Sequence, residues 1–236
     1  MSLGLGSHTS RALAVVFLDG EYGDPAWYRA LAARADILLA ADGGAAFLVA
    51  AGVRPEAVVG DFDSLDDAAA AALRAQGVEF VRHPVHKDVT DGELAVEEAL
   101  RRGAGGLLLA GATGALDHTL GHLAILRRLA ERGVDARMVA PDLAVTVLAA
   151  PAEVVLAAPA GVRVSLAPTG GDVIVSLSGL EYPLDRGVLP ADACLGLGNH
   201  VTAPPARISV HQGAVVAVVA WGEEAFHRAD AGQGDG

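Results

Sequence analysis

The feature that most constrains this chain is a repeated unit in its N-terminal part: a short apolar run, a loop bearing glycine or aspartate, then a helical stretch. Residues 12–18 are continuously apolar and end at Asp19-Gly20. Residues 37–41 end at Asp42-Gly43-Gly44, residues 57–59 at Gly60-Asp61, and residues 107–110 at Gly111. Apolar runs of this length between turn formers predict strands buried on both faces. Residues 78–81 and 134–140 predict two more. Helices are predicted over 25–34, with Pro25 at the start, and over 45–51, 66–76, 91–102 and 117–132. The last four are stopped by Gly52, Gly77, Gly103 and Gly133. The alternation predicts an α/β domain with a mainly parallel sheet. Ligands bind such sheets beyond the carboxyl ends of the strands. The loops 42–44, 60–64, 83–91 and 111–118 are therefore expected to meet on one rim.

From about Leu143 the helical periodicity stops. Short Val-rich runs over 153–157, 162–167, 173–177, 206–210 and 215–220 alternate with Pro-Ala, Gly-Gly and Gln-Gly turns. This texture predicts an all-β, sandwich-like C-terminal domain. The expected division is 11–142 for the α/β catalytic domain, 143–222 for the β domain and 223–236 for a disordered tail. Residues 1–10 read as a short polar tail. Cys194 is the only cysteine, so neither an intrachain disulfide nor a cysteine-based zinc site is expected. The net charge of −12 argues against a nucleic-acid partner, because phosphate-backbone binding requires clustered Lys and Arg. No apolar stretch is long enough to suggest a membrane span, and no signal segment is evident. A cytoplasmic enzyme is expected.

The loops carry the chemistry. In an extended segment Asp61 and Asp63 point the same way. Two converging carboxylates repel unless a cation neutralises them, and Mg²⁺ takes one or two carboxylates plus substrate phosphates. Asp88 lies in the run Lys87-Asp88-Val89-Thr90-Asp91 ahead of a helix, where Thr90 or Asp91 serves as the cap. Asp88 is left over as a third acid for a metal, and Lys87 as a phosphate contact. Asp42-Gly43-Gly44 and Gly111-Ala112-Thr113-Gly114-Ala115-Leu116-Asp117-His118 both join a strand to a helix through glycines that allow backbone to approach phosphate. No P-loop sequence, no zinc-spaced histidine pair and no Gly-x-Ser-x-Gly elbow occurs. Acid- and glycine-bearing loops on one rim, without a P-loop, point to Mg²⁺-dependent work on a polyphosphate.

At this point the sequence resembles a family. Ala41-Asp42-Gly43-Gly44-Ala45, Gly60-Asp61-Phe62-Asp63-Ser64, Asp88-Val89-Thr90-Asp91 and Asp117-His118-Thr119-Leu120 occur in the order and approximate spacing of the thiamine pyrophosphokinases. Gly179-Leu180-Glu181-Tyr182-Pro183-Leu184 resembles a glycine–aromatic motif of that family's C-terminal domain. The resemblance implies a homodimer that transfers pyrophosphate from ATP to the hydroxyl of thiamine and releases AMP. It implies that Asp61, Asp63 and Asp88 hold Mg²⁺, with Asp42 close by and Asp91 also catalytic. Asp42, Gly43, Gly44, Lys87, Thr90, Gly111, Asp117 and His118 would contact ATP. Ser178, Tyr182 and Asn199 would contact thiamine.

The chain departs from the family pattern in three places. The 113–118 loop is one residue tighter or carries Ala115 where the family has an arginine, Gly198 stands where it carries a serine before the asparagine, and His122 replaces an asparagine. These departures keep alternatives in play: transfer to another heterocyclic alcohol such as a hydroxymethyl-pterin, an inactive Mg-nucleotide-binding module, or a phosphohydrolase with Asp61 as nucleophile.

Overall fold

The computed structural model describes residues 3–4, 12–62, 65–83 and 89–220. Asp63, Ser64, Lys87, Asp88 and the expected tail 223–236 lie outside the described residues. The elements in order are β1 (Leu3–Gly4), β2 (Ala12–Phe17), α1 (Pro25–Ala32), β3 (Ile37–Ala41), α2 (Gly44–Ala50) and β4 (Ala57–Gly60). Then come α3 (Asp67–Ala75), β5 (Glu79–Arg82), α4 (Asp91–Arg101), β6 (Ala104–Ala110), α5 (Leu116–Glu131) and β7 (Asp135–Ala140). The remaining strands are β8 (Leu143–Ala149), β9 (Ala152–Leu156), β10 (Arg163–Pro168), β11 (Val173–Ser178), β12 (Leu184–Leu189), β13 (Asn199–His200), β14 (Ala206–Gln212) and β15 (Ala214–Ala220).

The chain divides into two compact units. One gathers residues 10–125 and 133–140; the other gathers Leu126–Arg132, residues 141 onward and the N-terminal strand. In the first unit β7, β6, β2, β3, β4 and β5 lie side by side, every neighbouring pair parallel. β3 and β4 are buried along their whole length, as their unbroken apolar runs require. The order runs outward from β2 through β3 and β4 to β5, then returns to β6 on the other side of β2. The chain reverses direction across the sheet at β2–β6, which makes this a topological switch point. Helix α4 makes that return and packs on β2, β3, β4 and β6. Its far end is anchored by Glu98, a buried acid gripped by Arg101 and Arg102 at 2.6–2.7 Å. The Arg101 hydrogen bond, followed by that of Arg102, holds the Glu98 carboxyl below its ordinary range.

The second unit is antiparallel. β1, β9, β14, β11 and β12 form a five-stranded sheet. β13, β10, β15 and β8 form a second ladder. Alternate residues are buried: Val173, Val175 and Leu177 on β11, and Ala206, Ile208 and Val210 on β14. Arg127, on the last turns of α5, donates to the Thr169 carbonyl and hydroxyl at 2.7 Å, so this end of the helix belongs with the β unit.

The α/β-then-β architecture is as the sequence predicts. Several segments differ, among them the short strand Asn199–His200. Leu3 and Gly4, expected in a polar tail, pair antiparallel with Leu156 and Val155. The run 143–149, read only as the change of texture, is a strand paired along its length with β15. Residues 184–189 also form a strand; Asp185, Arg186 and Gly187 mask it because it lies at a sheet edge, where charge is tolerated. Among the described residues no helix is long and apolar enough to cross a membrane.

Candidate functional site

The carboxyl ends of β3 and β4 and the start of α4 converge. Carboxylate oxygens of Asp42, Asp61 and Asp91 all lie within 4.8 Å of one another. Asp42 is 6 % exposed and the other two are half-buried. Each is positioned by backbone. Asp42 sits directly after β3, its amide donating to Val59 O at 3.1 Å and its carbonyl accepting from Ala45 N at 2.9 Å. Asp91 is the first residue of α4, which Thr90 caps by accepting from Glu93 N at 3.2 Å. The helix N-terminus there favours negative charge. Gly60 makes the convergence possible: a Cβ on it would stand 2.9 Å from Asp91 Oδ1 and 3.4 Å from Asp42 Cβ.

Backbone strain is concentrated at this corner. Asp42 has φ 36° and Phe62 has φ 70°. Aspartate tolerates the left-handed region through its short polar side chain, but a bulky aromatic there is an outlier that the surroundings must enforce. The Phe62 ring packs edge-on against Phe80 at 5.1 Å, and the Arg82 guanidinium covers it at 5.0 Å while reaching towards Asp61 O at 3.4 Å. An exposed cation thus stands beside the acids.

The donor set fits Mg²⁺. The carboxylates are hard oxygen donors, and the oxygens around an octahedral Mg²⁺ stand about 3–4 Å apart with bonds of roughly 2.1 Å. Gly60 keeps open the approach that brings two of them together.

The loops after β2 and β6 form a second corner of the rim. Leu18 N donates to Ala110 O and Glu21 N to Thr113 O, both at 2.9 Å. Tyr22 hydrogen-bonds the Leu18 carbonyl and stacks on Phe47 with centroids 3.8 Å apart. Burial, then the neighbouring Tyr28 and Asp19, push the Tyr22 phenol well above its ordinary pKa, so it stays protonated and acts as a donor. Gly111, with φ 65°, is required here because a Cβ would fall 2.4 Å from the Tyr22 ring. Gly43 and Gly44 likewise have packing reasons: a Cβ would meet the Asp19 carboxylate or Phe17 O at 2.2 Å. Asp117 and His118 are exposed in the first turn of α5. His122, one turn on, is buried; its Nδ1 lies 2.8 Å from Ala112 O, which can only accept. The proton therefore sits on Nδ1. Burial holds the His122 pKa below its ordinary value, with the neighbouring His118 acting in the same direction.

In the β unit Ser178 is exposed at the end of β11 and Tyr182 is 63 % exposed. Asn199 is buried, and its carboxamide is engaged with the backbone of Tyr182 and His200.

Residues 28–138 match the family model for the thiamin pyrophosphokinase catalytic domain. This segment is similar to that catalytic domain. It contains Asp42, Asp61 and Asp91 as well as Thr90, Asp117 and His118. The match supports enzymatic, kinase-type activity. No curated protein matches the chain. Among solved structures, the fold is similar to thiamine pyrophosphokinase from Bacillus subtilis, with TM-score 0.77 and 22% identity over 89% of this chain and 99% of the other. The Geobacillus thermodenitrificans enzyme gives 0.75 and 24% identity over 90% and 99%. The Candida albicans enzyme gives 0.76 and 15% over 90% of each chain. These likenesses establish the shared fold, an α/β unit followed by antiparallel strands.

Within the matched segment, the structure groups Asp61 with Asp42 and Asp91. The sequence predicts that the loops bearing Asp42, Asp61 and Asp91 meet on one rim, with Asp42 near the metal acids, but does not single out these three as sharing one point. The αL turn after β3 and the return of α4 bring them to it. Asp19 and Tyr22 lie before the matched segment, and sequence reading missed both. Asp19 follows a strand just as Asp42 and Asp61 do, and that parallel was the available signal.

Proposed function

We propose that the chain transfers the pyrophosphoryl group of ATP to the hydroxyl of thiamine, giving thiamine diphosphate and AMP, and that it works as a homodimer in the cytoplasm. The observation that carries this reading is the convergence of Asp42, Asp61 and Asp91 beyond the strand ends of a thiamin pyrophosphokinase catalytic segment. Those three acids, with Asp63 and Asp88 from adjacent stretches, would hold Mg²⁺. When bound, Mg²⁺ neutralises the polyphosphate and leaves the β-phosphorus open to attack.

The rest falls to the chain's own groups. In the proposed reaction the thiamine oxygen forms a bond to the β-phosphorus. The bond from that phosphorus to the bridging oxygen breaks, and AMP departs with the electron pair. The hydroxyl proton passes to a rim carboxylate late in the step, because phosphoryl-type transfer depends mainly on position and charge rather than on a strong base. Arg82, beside Asp61, is the cation we assign to the polyphosphate in place of the arginine absent at Ala115. Thr90, Lys87, Asp117 and His118 border the nucleotide in this reading. Tyr182 offers an aromatic face to the permanent positive charge of thiamine.

Incubation with ATP, Mg²⁺ and thiamine tests this directly. AMP and thiamine diphosphate in equal amounts are expected. Release of ADP, or of phosphate without any need for thiamine, would refute it.

A further inference from the structure

The loop that presents Tyr182 is held by one buried side chain. Asn199 is 8 % exposed, whereas Tyr182 is 63 % exposed. Asn199 Oδ1 accepts from Tyr182 N at 3.1 Å and from His200 N at 2.9 Å, and its Nδ2 donates to Tyr182 O at 3.0 Å. The carboxamide thus bonds both backbone polar groups of Tyr182 across a sequence separation of 17. Asn199 is itself fixed, because β13 pairs it with Val164 of β10. Gly198, with φ 75°, turns the chain into that position and donates to Ser165 Oγ at 3.0 Å. On the Tyr182 side, Glu181 N donates to His200 O at 2.9 Å, and Thr202 N and Ala203 N donate to Gly179 O. Gly179 admits this crossing, since a Cβ there would lie 2.4 Å from Ala203 O.

An asparagine used this way has both ends of its amide committed inside the protein. Its Oδ1 already serves two backbone donors, and its remaining N–H is its one spare group. A side chain so placed is poorly suited to direct ligand recognition and well suited to fixing a neighbour. Tyr182, by contrast, has a committed backbone and an exposed ring. A rigid aromatic surface of this kind binds with little ordering cost, and a cation is its natural partner.

We propose that Asn199 is a positioning residue. It acts through Tyr182, holding that ring as a preformed platform for a cationic heterocycle, and makes no contact of its own with the acceptor. This rests on the thiamine reading above.

Two measurements test it. The first needs no substrate. In Asn199→Ala, amide hydrogen exchange at Tyr182 and His200 should accelerate, while Val201 N, which donates to Val162 O at 2.9 Å, keeps its protection. Unchanged exchange at Tyr182 would overturn the proposal. The second is a double-mutant cycle with Tyr182→Ala. The KM for thiamine should rise about tenfold in Asn199→Ala, with the KM for ATP unmoved, and the double variant should be no worse than Tyr182→Ala alone. Additive penalties would mean that Asn199 meets the acceptor directly, which also overturns it. Should Asn199→Ala fail to fold, the isosteric Asn199→Asp keeps the acceptor and loses the donor. It should give the same non-additive pattern at about threefold. If the wild-type protein does not turn over thiamine, the thiamine reading fails by itself, and the exchange experiment decides the clasp.

Discussion

The acid rim of the α/β unit and the Tyr182 loop of the β unit solve opposite problems. At the rim three carboxylates are held within 4.8 Å, beside two non-glycine residues in left-handed backbone. Like charges and strained dihedrals both oppose that arrangement, so the surrounding sheet and α4 must enforce it. At Tyr182 the backbone is satisfied by a neutral amide, and only an aromatic face is left to solvent. In the proposed function the rim is a site that a cation would complete. The loop is complete without one. The difference teaches where substitutions should cost activity and where they should cost stability.

The contrast breaks most sharply at Asp61. Asp61→Asn should cut AMP formation by about a hundredfold to a thousandfold, because it removes an anionic ligand where charge must be neutralised. Thermal unfolding should show stability equal to or above that of the wild type, since a repulsive charge is lost. Near-normal turnover would remove the acid cluster from the mechanism.

Gly111→Ala tests the other rim corner, where packing dominates. The new Cβ would fall 2.4 Å from the Tyr22 ring at a φ of 65°. We expect a loss of about 2–4 kcal/mol in urea unfolding.

A smaller effect is expected from pH. The folded-state pKa of His122 lies below its unfolded value, chiefly because it is buried. Its contribution to stability is therefore present above about pH 6.5 and is lost as pH falls through the lowered folded pKa. His122→Asn should flatten this part of the stability–pH curve, and an unchanged slope would show that His122 stays exposed to protons when folded.

The smallest effect belongs to the β unit. Arg186 is exposed at φ 47° on the edge strand β12. Arg186→Gly should gain about 0.5 kcal/mol, the left-handed penalty offset in part by the greater unfolded freedom of glycine. A clear loss would show that the arginine side chain holds the edge.

Much of the fold was legible because each element declares itself locally. The apolar runs 37–41 and 57–59 could only be buried strands, and Gly52, Gly77, Gly103 and Gly133 each follow a helix closely. Residues 184–189 escaped because edge strands follow no apolar pattern. The individual acids Asp42, Asp61 and Asp91 stood out as candidates, each from its place after a strand or before a helix. That their loops meet on one rim was legible too, but that these three share one point was not, since it depends on the β2–β6 switch point and on the left-handed turn at Asp42. Tyr182 was visible in its Gly179–Leu184 motif, whereas the clasp by Asn199 spans a separation of 17.

The sequence by itself determined the two textures of the chain, the loops that carry acid and glycine, and the aromatic that stands in the β region. These follow from periodicity and turn chemistry, which act over a few residues. Only the tertiary structure decided which acids share a point, that Gly60, Gly43 and Gly111 are needed for close packing, and that Asn199 works on a neighbour's backbone. Those outcomes depend on distances between residues far apart in the chain, which are set once the sheet order and the crossings of α4 and β13 are fixed.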